Sequence, residues 1–241
     1  MEQYRLKQYM MQSPNEKLKD IVSRMLYDDI INLRIPPGTK LNINQIATEL
    51  GISRTPVADA VAHLTDIGFV VSRENASGSF VLSLDIDDMI KLYQVRDAIE
   101  SEAASLCAHN MDEQTIYRLN ALAEAFRESV RKRDVRGMKD TDMPFHRLII
   151  DSCGNPYISD SYEHLLPKLT MYQCSMLNFI GDENSEKNPW LSKVMYNHTS
   201  VVSAIRMRMP DLARRAMSEH IDSSLSFISL SGPDSKNPFE S

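Results

Sequence analysis

Residues 53–57 read Ser53-Arg54-Thr55-Pro56-Val57, and they open a segment that repays close reading. Ser53 suits a helix N-cap, because its side-chain oxygen can accept from a backbone N–H two or three residues on. Pro56 falls in the first turn, where a missing N–H matters little. Val57, Ala60, Val61, Leu64 and Ile67 recur at three- and four-residue steps, forming one apolar helix face, and Gly68 ends it. Just upstream, Ile43, Ile46, Ala47 and Leu50 form a shorter apolar face between Asn42 as cap and Gly51 as stop. Two short helices about a glycine turn fit a helix-turn-helix, whose second helix offers Arg54 and Thr55 to bases and phosphates in a major groove. An ordinary helical hairpin shares the same pattern.

The flanks extend the motif. Residues 16–33 carry Leu18, Ile21, Val22, Met25, Leu26, Ile30 and Leu33 at helical spacing, and Pro36-Pro37-Gly38 stops that helix. Downstream, Phe69-Val70-Val71 and Phe80-Val81-Leu82 are short β-prone runs about a polar turn containing Asn75, Ser77 and Gly78. A helix, a helix-turn-helix and a β-hairpin make a winged helix over residues 15–82, with Arg73 and Gly78 in the wing. A lone basic residue in a turn also fits simple solvation. Residues 1–14 show no capping or periodic pattern and read as an N-terminal extension.

The whole chain has 241 residues, 42% of them hydrophobic and 25% charged, room for two modest soluble domains or one large one. Nothing approaches a membrane span, the N-terminus lacks a signal-peptide core, and three scattered cysteines suit a reducing cytoplasm. The net charge is −6, and it is uneven. Residues 1–82 hold nine Lys/Arg and nine Asp/Glu, so the remainder carries the whole deficit. A neutral head binds DNA with less electrostatic help than a basic one.

Over about residues 16–82 the chain resembles the GntR family of bacterial transcription regulators. The resemblance rests on Pro37-Gly38-Thr39-Lys40-Leu41, Ile46-Ala47, Leu50-Gly51-Ile52-Ser53-Arg54-Thr55-Pro56-Val57, Leu64, Gly68-Phe69-Val70 and Gly78-Ser79-Phe80-Val81. It implies a DNA contact set of Ser53, Arg54, Thr55, Arg73 and Gly78. After Pro-Val the family usually carries Arg-Glu-Ala-Leu, whereas this chain has Ala58-Asp59-Ala60-Val61. The missing Arg removes a contact worth ~1–3 kcal/mol where it reads a base.

Residues 83–88 read as a linker, after which helical periodicity hardly stops through residue 230. Leu92, Val95, Ile99, Ala103 and Leu106 suggest one face, Leu119, Leu122, Ala123 and Phe126 another. Spans at 158–180 and 191–209, a polar loop at 181–189 and a last helix from Pro210 complete six or seven helices. Mainly α overall, the chain therefore pairs its winged helix-turn-helix with an all-α antiparallel bundle roomy enough for a pocket. Residues 231–241 read as a disordered tail. The methionines, Met171, Met176, Met195, Met207, Met209 and Met217 among them, suit core filling or an adaptable dimer face.

Asp142 and His146 lie four apart on one side of a helical turn, with Pro144 compatible with a helix start there. His198 and His220 fall on two consecutive helices, where an antiparallel turn about midway brings them opposite each other. A carboxylate and three imidazoles converging inside a bundle bind a divalent transition metal. Four unrelated polar residues are the plainer alternative. His63, His109 and His164 have no partner pattern.

Over about residues 85–228 the chain also looks like the FCD-type ligand-binding domain of the FadR-like branch of GntR regulators. The matching residues are Leu92-Tyr93, Val95-Arg96, Ile99-Glu100, Asp142, Phe145-His146, Gly154-Asn155-Pro156, Asn197-His198, Ala204-Ile205, Asp211, Ala213, Met217 and His220-Ile221. The resemblance assigns a metal (zinc or nickel foremost, manganese third) to Asp142, His146, His198 and His220, with a small carboxylate completing its coordination. Arg96 is the candidate grip for that carboxylate, and the alternative is an intrahelical pair with Glu100. Tyr172, Ser175 and Asn178 are candidates for the pocket wall. The expectation is a homodimeric regulator of palindromic operator DNA, switched by an organic acid and not an enzyme. A structural metal or a metal-dependent hydrolase are the alternatives.

Overall fold

The computed structural model describes residues 2–73, 76–180 and 189–230. The expected tail at 231–241, residues 74–75 of the wing turn and residues 181–188 of the polar loop lie outside them. Two compact units emerge, one of residues up to Asp85 with Thr170–Ser175, the other of Ile86–Leu169 and residues from Met176 on.

The N-terminal unit starts with α1 (Glu2–Gln12) and α2 (Leu18–Ile31), then β1 (Lys40–Leu41), α3 (Ile43–Leu50), α4 (Arg54–Asp66), β2 (Val70–Arg73) and β3 (Ala76–Val81). The helix α1 is a departure from the sequence reading. It buries only Leu6 among its apolar residues, so no apolar stripe announces it. Polar anchors hold it instead: Arg5 donates to Asp29 on α2 at 2.5 Å, and the Tyr9 hydroxyl donates to Asp28 at 2.6 Å.

The helix-turn-helix forms as its apolar spacing implies. The Asn42 side chain accepts from the N–H groups of Asn44 and Gln45, capping α3, and Gly51 closes it at φ 69°, which glycine adopts without strain. Ser53 holds the N-cap position of α4 in extended backbone but makes no capping hydrogen bond, contrary to expectation. Val57, Ala60, Val61 and Leu64 pack with Ile21, Val22, Met25, Leu26 and Ile30 of α2 into one core, each such side chain contributing about 1.5–3 kcal/mol for the larger aliphatics. The hairpin gains a third strand, because β1 pairs with β3 in the order β1-β3-β2, Lys40 opposite Phe80 and Val71 opposite Phe80 on the other edge.

The second unit is helical: α5 (Ile86–Asn110), α6 (Glu113–Lys132), α7 (Val135–Ser152), α8 (Pro156–Ile180, of which Thr170–Ser175 cluster with the first unit), α9 (Pro189–Arg206) and α10 (Pro210–Leu230). Against α5 pack α7, α9 and α10, while α6 packs on α7 and α9. Two of its details correct the sequence reading. The start of α7 is Val135, where the Asp134 side chain accepts from Gly137 N–H at 3.0 Å, and Pro144 sits inside the helix on an exposed position. The buried stripe of α5 is Met89, Tyr93, Arg96, Glu100, Ala103 and Cys107, and Val95 of the expected face is 47% exposed. That helix turns two charged residues inward and part of its apolar surface outward.

Met171, Met176 and Met217 are buried, Met207 and Met209 exposed, and the Met195 side chain lies outside the described residues. All three cysteines are buried and none forms a disulfide. No described helix is long and apolar enough to cross a membrane.

Candidate functional site

Asp142 and His146 project from one face of α7, a turn apart. His198 comes from α9 and His220 from α10, and the turn at residues 207–209 between those helices lies midway between the two histidines. One ligand atom from each of the four falls within 4.8 Å of all the others, and all four residues are buried. His220 Nε2 lies 3.1 Å from His146 Nε2, a contact that needs a shared proton or cation between two ring nitrogens. Asp142 Oδ1 lies 3.3 Å from His198 Nε2 and 3.8 Å from His146 Nε2. N and O donors sharing one ion at about 2.1 Å stand roughly 3–3.5 Å apart, so the 3.1 and 3.3 Å spacings match a single small cation and the wider ones would contract around it.

Charge and solvation favour the same use. Burial drives the pKa of His198 and, further, of His220 below the ordinary imidazole value, keeping both rings neutral with lone pairs available. Burial alone would raise Asp142, but the adjacent His146 and His198 rings hold it well below the usual carboxylate range. Among the described residues His198 Nδ1 and His220 Nδ1 have no hydrogen-bond partner, and His198 Nε2 has only the poorly aligned Asp142 contact. Phe126 and Phe145 close over the His198 ring at centroid distances of 4.5 and 4.2 Å. A transition metal with nitrogen and carboxylate preferences fits this donor set.

Behind the four lies Glu100, which the sequence reading weighed only as an intrahelical partner of Arg96. Glu100 Oε2 is 2.6 Å from His146 Nδ1, and Glu100 Oε1 accepts from Arg96 Nε at 2.7 Å. Against the burial penalty, Arg96 and His146 hold the Glu100 carboxyl down at about 2. Against burial, the same carboxylate together with Asp142 raises the pKa of His146. Burial, with the Glu100 charge beside it, pushes the Tyr162 phenol well up. The spacing 89, 93, 96, 100, 103, 107 was the available signal, since it places Arg96 and Glu100 on one helical stripe with core residues.

Both readings of Arg96 therefore meet in one place: it pairs with Glu100, and its Nη2 is buried with no partner among the described residues. Tyr93 lies against the guanidinium, its ring centroid 5.0 Å from Cζ. Of the other effector candidates, the Tyr172 hydroxyl donates to Asp85 O at 2.8 Å and accepts from Asp85 N–H at 3.0 Å, within the N-terminal unit. Buried Ser175 Oγ and half-buried Asn178 Nδ2 have no partner among the described residues.

In the N-terminal unit, Ser53, Arg54 and Thr55 are all exposed at the start of α4, with Ala58 half-buried and Asp59 exposed a turn later. Arg73 stacks its guanidinium 4.6 Å from the Phe80 ring centroid, and Lys40, which the sequence reading did not single out, lies 5.8 Å from the same ring. Gly78, at φ 119°, makes room for Lys40: a Cβ there would stand 2.8 Å from Lys40 Cε. The wing thus carries two cations on one aromatic ring.

Comparison with known proteins agrees with this architecture. Residues 18–81 match the family described as bacterial regulatory proteins, gntR family, and residues 91–223 match the FCD domain. The HTH-type transcriptional repressor RspR of Escherichia coli K12 is 25% identical over 87% of this chain and 88% of its own. The gluconate operon transcriptional repressor of Bacillus licheniformis is 23% identical over 80% and 77%. Among solved structures, Escherichia coli McbR/YncC superposes with a TM-score of 0.68 at 19% identity, covering 88% of this chain and 96% of that one. A GntR regulator from Rhodococcus sp. RHA1 gives 0.66 at 20% identity, covering 88% and 97%. With an N-terminal winged helix matching one family and a helical bundle matching the other across more than half its length, the chain belongs to the GntR family of bacterial regulatory proteins with an FCD domain, and is a transcription regulator, not an enzyme.

Proposed function

We propose that this regulator's affinity for operator DNA is set by a small organic acid bound at a divalent metal, zinc or nickel, held by Asp142, His146, His198 and His220. The observation that carries the proposal is the convergence of those four buried donors beside an Arg96 whose Nη2 has no partner among the described residues. When bound, the metal supplies a Lewis-acidic centre for a ligand oxygen. Charge points to an anion. Asp142 and Glu100 balance Arg96 and one charge of a divalent ion, leaving one positive charge in a buried site for a carboxylate to neutralise.

Ser53, Arg54 and Thr55 approach bases and phosphates, and Arg73 with Gly78 serves the wing contact. The protein works in the cytoplasm as a homodimer on a palindromic site, two heads on half-sites about one helical turn apart. The outward apolar residues of α5, Val95 with half-buried Leu92 and Ile99, support such pairing.

The test is elemental analysis of purified protein, followed by titration onto operator DNA with candidate acids before and after chelation. Stoichiometric zinc or nickel together with an acid-dependent shift in DNA affinity supports the reading. Metal without any acid response reduces the site to a structural one.

A further inference from the structure

The structure assigns Glu100 a role that the four ligands do not have: we infer that it positions both the metal ligand His146 and the anion-gripping Arg96, so that ion and carboxylate bind cooperatively. This rests on the metal and effector reading above and names the residue through which its two halves communicate.

Each Glu100 oxygen has its own partner, Arg96 Nε at 2.7 Å and His146 Nδ1 at 2.6 Å. The side chain is 1% exposed and stands on the inward stripe of α5. On the His146 side, the carboxylate fixes the proton on Nδ1 and turns Nε2, as a lone pair, toward His220 and Asp142. On the Arg96 side, it holds the Nε edge and leaves Nη2, in a fully buried group, as a donor with no partner among the described residues. A buried pair kept for stability alone leaves no donor unmatched, since an orphaned buried N–H is costly. The unmatched donor therefore has a ligand to meet.

The sign of the coupling follows from one negative charge shared by two partners. A cation drawing on the His146 lone pair makes Nδ1–H a stronger donor, and Glu100 shifts toward it. Arg96 then keeps less of the carboxylate's charge and has more to offer an incoming anion. Metal thus raises anion affinity, and by reciprocity the anion raises metal affinity by the same factor.

The experiment titrates zinc chloride into chelator-treated full-length protein by calorimetry, with and without saturating sodium acetate, for wild type, Glu100→Gln and Glu100→Asp. Wild type should gain at least about fivefold in zinc affinity with acetate. Glu100→Gln should bind zinc roughly 10- to 100-fold more weakly, with the acetate effect reduced below about twofold. Glu100→Asp, which keeps the charge, should recover part of both. Glu100→Gln matching wild type in zinc affinity, or an acetate effect of unchanged size, overturns the inference while leaving the metal reading intact. If Glu100→Gln does not fold, Glu100→Asp decides, with wild-type zinc affinity and an undiminished acetate effect counting against the inference. Failure of wild type to bind zinc removes both, and zinc binding with no response to acetate removes the inference together with the effector reading while leaving a structural metal.

Discussion

Arg5 on the first helix grips Asp29 on the second through two contacts, of 2.5 and 3.3 Å, with the Asp29 side chain only 9% exposed. Asp29 is also held by Arg34 at 2.5 Å, so one carboxylate gathers the N-terminal helix and the end of α2. Arg5→Ala should lower stability by about 1–2 kcal/mol, because a charged hydrogen bond is lost and the carboxylate keeps its second partner. Urea unfolding monitored by circular dichroism checks this, and an unchanged midpoint means that α1 merely rests on its neighbours.

Arg54→Ala should weaken operator binding by ~1–3 kcal/mol without altering the melting temperature. Lys40→Ala should act differently, reducing the slope of log affinity against log salt by about one and lowering affinity for every sequence alike. Fluorescence anisotropy at several salt concentrations separates base reading from phosphate contact. An unaltered slope in Lys40→Ala takes that residue off the DNA.

Acid should destabilise the metal-free protein. His198 and His220 have folded pKa values below the ordinary value of about 6.5, so the unfolded chain binds more protons just below that pH. Their contribution is complete above about 6.5 and is lost as pH falls toward the folded values. His146, raised beside Glu100, acts in the opposite sense, present below 6.5 and lost as pH rises through its folded value. With two rings against one, and His220 shifted furthest, melting temperature should decline from pH 7 to 5. A flat or rising profile contradicts the assignment.

Metal removal gives an independent readout. Zinc at about a hundred times its dissociation constant should stabilise the fold by roughly 2.7 kcal/mol, and Asp142→Ala should abolish most of that increment. Differential scanning calorimetry with and without a chelator measures it. Equal melting curves would indicate that no ion is held there.

Where periodicity and capping agree, the sequence was readable. Val57, Ala60, Val61 and Leu64 are buried as their spacing required, and Asn42 and Gly51 bound α3. Other elements carried no such signature. The helix α1 is held by charge, the strand β1 is two residues long, and Pro144 looked like a helix start because Asp134 could not be weighed against it. The four clustered donors could be named from residue type and helix order. Glu100 could not, because its value lies in a tertiary contact with a residue 46 positions away. The stripe on α5 was misplaced for the same reason: apolarity marked Leu92, Val95 and Ile99, while the inward face was chosen by Arg96 and Glu100.

The seclusion of Cys107, Cys153 and Cys174 makes the molecule its own stopwatch. An alkylating reagent reaches these thiols only when the surrounding helices part. Cys174 clusters with the first unit and the other two with the second, so mass mapping of the tagged peptides times the opening of each half without any engineered probe.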